Sequence, residues 1–273
     1  SNQLKASMTF LNFTMFIRTI NLFNLFNKFN FLITISLLIF PLAAVAVEKE
    51  NIDVYVYHLK PPFVVSNTNK LGLYFDFSAY LNSKSNKYHF ETVFVPRKRI
   101  ETMLALNKLN GILLGVNPIW FKDKAETKYL WTTSVYQDQD EIVSLPESPI
   151  EYTGVESLAG KVLGGIRGFY YYGIDEQVKQ GKVNRFDTIG EYELLQMIVL
   201  KRVDVGIVSR STLEYLTKAK DWQGKFYLSK QPHDKYERRV LVPHYKKAVY
   251  DEISTIVKGL PNDPFWKAIL KQY

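Results

Sequence analysis

The sequence predicts an α/β protein built on mostly parallel sheets. Short apolar runs rich in β-branched residues alternate with segments of helical period, the pattern of successive βα units. With 273 residues, 47% hydrophobic and 15% aromatic, the chain can bury a core in one large domain or two modest ones.

The predicted strands are "IDVYVY" (52–57), "HFETVFV" (89–95), "GILLGV" (111–116), "EIVSL" (141–145), "KVLGGI" (161–166), "VDVGIVS" (203–209) and "RVLVP" (239–243). Helices lie between them. Ile100, Met103 and Leu104 share one helical face, and Val249, Ile253, Ile256, Val257 and Leu260 form a stripe on a later helix, so both sets are core candidates. The segment "SLPESPIEYTGVESLAGK" (144–161) shifts in composition and reads as a crossing between two lobes; the polar stretch Ser229–Arg239 reads as a second crossing.

The run "FLITISLLIFPLAAVAV" (31–47) follows Lys28 and ends in Ala44-Val45-Ala46 before "EKEN", as an export signal does, with cleavage expected after Ala46. A membrane anchor needs about 20 apolar residues, more than this run offers. Met8 and Met15 are candidate starts, and nothing before Val47 enters the fold reading. With no cysteine in the chain, a lipidated cysteine anchor, disulfides, thiol catalysis and cysteine-ligated metals are excluded, and a free periplasmic protein is expected. Lys5, Arg18 and Lys28 face no acids before Val47; removing those three from the net +8 leaves +5. That mild excess favours anionic partners only weakly, and no Lys/Arg block points to nucleic acid.

Covalent chemistry finds no constellation. The four histidines, His58, His89, His233 and His244, have no pairwise spacing for one helical face, so no metal site is expected and each reads as a surface or internally satisfied residue. There is no G-x-S-x-G elbow, and "GVESLAGKV" fails as a phosphate loop in its spacing and in having Val162 where Ser or Thr must hold magnesium. Asp138, Asp140 and Glu141 are too close in sequence for a catalytic pair and read as a solvated turn. The expectation is a protein that is not an enzyme and uses no cofactor.

A binding architecture remains. Ligands of α/β sheets sit beyond the carboxyl ends of strands, beside helix amino termini. That rule selects Tyr57, His58, Leu59, Lys60 and Phe63 after the first strand, Asn117, Trp120 and Lys122 after the third, Arg167, Gly168, Phe169 and Tyr170 after the strand at 161, and Ser209 after the strand at 203. Arg97 and Arg99 open a neighbouring helix. Aromatics there would flank a ligand and basic groups would pair with its anions. Each has a plainer alternative: Phe63, Phe169 and Tyr172 as packing between lobe and loop, Lys122 as a solvated lysine, Arg99 as cover for its own helix.

The order of these pieces resembles the family 3 bacterial extracellular solute-binding proteins. The carrying segments are "PPF" after the first strand, "GLYFDFSAYL" (72–81), "RIETMLALNKLNGILLG", "WTTSVYQDQDEIVS", "SLAGKVLGGIRG" and "LKRVDVGIVS", spanning roughly Ile52 to Tyr273. The resemblance implies the two-lobe periplasmic binding protein fold (type II), each lobe a mostly parallel sheet flanked by helices, joined by two hinge strands. The expected division is residues 1–46 as signal peptide and upstream segment, 47–139 plus 236–273 as one lobe, and 140–235 as the other. It also implies a monomer that closes on a small-molecule ligand and docks on the membrane permease of an ABC importer. Two alternatives stay open: a sensor acting through a membrane receptor, and an enzyme of the same fold, dehydratase-like.

The family's ligand contacts depart here. Stacking aromatics fall on Lys60 and Arg97, the carboxylate-clamping arginine has only Lys122 near its place, the second-lobe carboxylate contact falls on Gly168–Tyr170, and the ammonium-holding aspartate falls on Ser209. A buried ammonium without a carboxylate costs several kcal/mol. The expected ligand is therefore an anionic organic solute held by Lys60, Arg97 and Arg167, which show no acidic counterpart in sequence, and flanked by Tyr57, Trp120, Phe169 and Tyr170. Glycines and a helix amino terminus at Gly168 would let backbone N–H groups approach it.

Overall fold

The computed structural model describes residues 48–273, so the expected export signal over 1–46 lies outside the described residues. Among the described residues no helix is long and apolar enough to cross a membrane.

Three parallel strands form the first sheet region: β1 (Glu50–Val56) lies between β2 (Tyr88–Phe94) and β3 (Gly111–Val116). All of β3 is buried, as expected of a central strand covered on both faces. Strand alternation divides the apolar residues between two layers. Ile52, Val54, Val56, Ile112 and Leu114 point to one side, against α1 (Leu73–Lys84) and the carboxy-terminal helices α6 (Lys247–Gly259) and α7 (Pro264–Leu270). Tyr55 and Leu113 point to the other, against Ile100 and Leu104 of α2 (Arg97–Ala105). In α1 the buried positions Leu73, Tyr74, Phe77, Tyr80 and Leu81 recur every three to four residues, giving the stripe that seats it on the sheet.

The second region repeats the plan. β6 (Val162–Ile166) pairs in parallel with β7 (Asn184–Thr188) and β8 (Val205–Ser209). Leu194, Leu195 and Ile198 of α4 (Glu191–Val199) and Leu213 and Leu216 of α5 (Arg210–Ala219) cover one face; Leu158, Tyr171 and Ile174 help to cover the other. A Cβ on Gly164 of β6 would stand 2.2 Å from Leu194, so the glycine is what lets α4 approach the sheet.

Two long antiparallel strands join the regions, β5 (Tyr136–Ser144) and β10 (Asp234–Val242). They pair with each other from Tyr136↔Arg238 to Asp140↔Asp234. β10 continues against β3 through Val240 and Leu241, while β5 continues against β8 from Asp140 to Val143, so each strand runs from one region into the other. The strand order is β2-β1-β3-β10-β5-β8-β6-β7.

Strands were legible where they were apolar and shortened where they were polar. β5 begins at Tyr136 rather than Glu141, and β10 at Asp234 rather than Arg239. β7 (NRFDT), the edge strand, and the two-residue strands β4 (Leu130–Trp131) and β9 (Tyr227–Leu228) carry no apolar run for a pattern to find. The acidic cluster is not a solvated turn: Asp138, Asp140 and Glu141 lie in β5, with Asp138 and Glu141 buried. Arg238 pairs with Asp138 and Arg210 with Glu141, supplying the counter-charges that make this burial tolerable.

Candidate functional site

The loops that follow β1 and β3 meet the loops that follow β6 and β8, with the β5/β10 ladder beside them. Tyr57 and His58 follow β1 directly, their rings tilted at 40° with centroids 4.0 Å apart; Trp120 and Phe169 each meet His58 edge-on at 5.7 Å. Phe169 comes from the second region and the other three rings from the first, so the aromatic cluster spans both. Trp120 also contacts Tyr236 of β10, with centroids 5.0 Å apart.

Lys60 is the polar centre of this cluster, with its side chain only 7% exposed. Its Nζ donates to Ser209 Oγ at 3.0 Å and lies 3.2 Å from Glu191 Oε1, close enough for an ion pair. The ammonium also sits 5.7 Å from the centre of the Phe169 ring. Glu191 opens α4, where a carboxylate is favoured by the helix dipole. Ser209 in turn donates to Thr212 Oγ1 at 2.9 Å, and Thr212 Oγ1 to the carbonyl of Pro61 at 2.6 Å.

Basic groups line the first-region side. Arg97 holds the Trp120 carbonyl at 2.7 Å, pairs with Glu101 at 2.9 Å and lies over the Tyr57 ring. The Asn117 side chain accepts from the Trp120 backbone N–H at 3.2 Å and so fixes the turn that presents this ring. Arg238 is buried between Phe63, Trp120 and Tyr236, donates to the Gly115 carbonyl, and directs its Nε and one terminal nitrogen at Asp138 Oδ2, 3.1 and 3.0 Å away.

Electrostatics follow from burial. Loss of water holds the His58 imidazole well below its ordinary range, with Arg238, Lys60 and Arg97 pushing the same way. Burial pushes the Asp140 carboxyl up, opposed by nearby Lys60 and by the Tyr236 hydroxyl that donates to it at 2.8 Å. Tyr57 Oη, His58 Nδ1 and Glu191 Oε1 are buried without a hydrogen bond among the described residues; the Glu191 oxygen has its ion pair but is not aligned for a bond. Such atoms are rare in a fold unless something else satisfies them.

Of the residues selected from sequence, Tyr57, Lys60, Arg97, Asn117, Trp120, Phe169 and Ser209 come together here. Arg167, Gly168 and Tyr170 are exposed at the end of β6. The Arg167 guanidinium has no hydrogen bond or ion pair among the described residues, and the Tyr170 hydroxyl donates outward to Glu176 at 2.6 Å. Gly168 has φ +83°, a conformation that favours glycine. The helix after it, α3 (Ile174–Lys179), starts six residues later, so no helix amino terminus lies at Gly168.

Sequence reasoning missed the acids. Glu191 compensates Lys60 and Glu101 compensates Arg97, two of the three cations that had shown no counterpart. Glu191 would have been found had β7 been recognised, because it then falls just beyond a strand's carboxyl end. His58, expected to be a surface or internally satisfied residue, is neither: it is buried and its Nδ1 has no partner among the described residues. Arg238 and Tyr236 lie in β10 and Asp140 in β5, in polar stretches of those strands that carry no apolar pattern.

No protein-family model and no curated protein matches the sequence. Solved structures do. A mutant of the arginine-binding protein ArgBP from T. maritima superposes with TM-score 0.64 at 12% identity, over 82% of this chain and 94% of that one. An ancestral arginine-binding protein bound to arginine gives 0.63 at 14% identity over 82% and 98%. The GluR0 ligand-binding core from Nostoc punctiforme, in complex with (L)-glutamate, gives 0.62 at 14% over 81% and 98%. At these identities the likeness is one of fold, and the fold is the α/β two-lobe type of periplasmic binding proteins.

Proposed function

We propose that this protein is a periplasmic solute-binding protein that captures a small polar organic solute between two lobes, 47–139 plus 236–273 and 140–235, and delivers it to an ABC importer. The observation that carries the reading is the pair of buried polar atoms without hydrogen bonds among the described residues, Tyr57 Oη and His58 Nδ1, set among aromatic rings where the two regions meet. A polar solute supplies the bonds these atoms lack, and Trp120 and Phe169 supply apolar faces for its carbon skeleton.

The charge of the solute is a finer question. With Lys60 and Arg97 compensated by Glu191 and Glu101, only Arg167 lacks an acidic partner among the described residues, and it stands exposed at the end of β6, so the charges favour an anion only weakly. The similar structures bound to arginine and to glutamate fit a polar, charged solute of either sign.

Thermal-shift screening of dicarboxylates, amino acids, sugars and polyamines, with mass spectrometry of any molecule carried through purification, tests the reading. A ligand that binds only the folded state raises the melting temperature, and Phe169→Ala lowers affinity for it several-fold. Stabilisation by polyamines alone removes the anionic reading. Turnover of the bound molecule removes the binding-protein reading in favour of an enzyme.

A further inference from the structure

The contacts of Lys60 form a directed relay. Its ammonium donates to Ser209 Oγ, Ser209 donates to Thr212 Oγ1, and Thr212 donates to the carbonyl of Pro61, the residue next to Lys60. The relay leaves one region from Lys60, passes through two hydroxyls at the end of β8 and the start of α5, and returns to the same dipeptide. Every hydroxyl hydrogen in it has an assigned acceptor, so the bonds polarise one another. Glu191 neutralises the cation at 3.2 Å from a helix that belongs wholly to the second region, and Phe169, from the same side, lies beneath it. These contacts need no third molecule.

We propose that Lys60 is a built-in latch: it draws the two lobes together through Glu191, Ser209 and Thr212 without requiring a solute, and an incoming solute must share or displace its ammonium. The proposal rests on the two-lobe reading above but on no particular solute. The latch is poised rather than permanent. Opening returns Lys60 and Glu191 to water, and the hydration regained offsets much of the attraction lost between them.

Because the chain has no cysteine, Asn86→Cys and Lys182→Cys give an exposed labelling site in each region on an otherwise thiol-free background. The doubly spin-labelled protein is unfolded in guanidinium, dialysed and refolded to strip bound solute, and the distance between labels is measured by pulsed dipolar spectroscopy. The expected result is a dominant short distance, with Lys60→Met lowering the short-to-long ratio by about ten- to a hundredfold, as for loss of a charged hydrogen bond. Glu191→Gln shifts it in the same direction and reports the same effect if the Lys60 variant misfolds by circular dichroism; Lys60→Arg restores part of it. A long distance in stripped wild type overturns the latch, and so does an unchanged distribution in folded Lys60→Met and Glu191→Gln. Failure of the function is read separately: a protein with the short distance that no solute in the screen stabilises keeps the latch and loses the solute-binding reading.

Discussion

Replacing Arg238 by methionine removes the cation that holds β3, β5 and β10 to one another. The side chains of Arg238 and Asp138 are each 1% exposed, and the guanidinium also reaches the Gly115 carbonyl at 3.3 Å. Losing one partner of a buried pair strands the other, at a cost of about 3–5 kcal/mol. Asp138 would keep three donors, the N–H of Gln139 and both the N–H and hydroxyl of Ser211, which places the expected loss near the lower bound, about 3 kcal/mol. For a domain of this size that is a fall in Tm of about 6–12 °C. Urea and thermal unfolding of Arg238→Met, Asp138→Asn and the double variant measure it. The double variant should be less destabilised than the sum of the singles by about 1–3 kcal/mol, since each substitution removes the reason the other is costly. Additive singles, or an Arg238→Met protein within about 1 kcal/mol of wild type, would refute the pair's part in fixing the joining strands.

Three further outcomes follow from the site. His58 is held neutral by burial, so the unfolded chain binds a proton that the folded chain refuses; stability is full above about pH 6.5 and falls by about 1.4 kcal/mol per pH unit below it, until the folded group itself titrates. Denaturation curves between pH 7.5 and 5 should show that slope, and His58→Phe should flatten it; an unchanged slope assigns the titration elsewhere. Gly115 has φ +78°, and a Cβ there would lie 1.9 Å from the Tyr74 hydroxyl, so Gly115→Ala combines backbone strain with overpacking and should cost about 2–5 kcal/mol in urea unfolding. Trp120→Ala removes a ring packed against His58 and Tyr236 and, by titration calorimetry, should weaken solute binding more than Tyr170→Ala, whose hydroxyl is engaged with Glu176 away from the cluster.

Residue pattern by itself determined the α/β class, the apolar strands and most of the residues around Lys60. Val54, Ile112 and Ile207 must leave water whatever their partners, so their runs mark strands locally. The rule that ligand groups follow strand ends then reached Tyr57, Lys60, Trp120, Phe169 and Ser209 from strand positions alone. Only the tertiary structure decided the charges. Glu191 is 131 residues from Lys60 and Asp138 is 100 from Arg238, and an ion pair leaves no local trace when its two members come from segments so far apart in the chain. The joining strands stayed hidden for a related reason: their polar residues face one another across a ladder held by backbone hydrogen bonds, which any sequence can make, so no apolar period announces them. The same polar strands carry Asp140, Tyr236 and Arg238 to the edge of the aromatic cluster, where folding turned an apparent surface turn into one side of the candidate site.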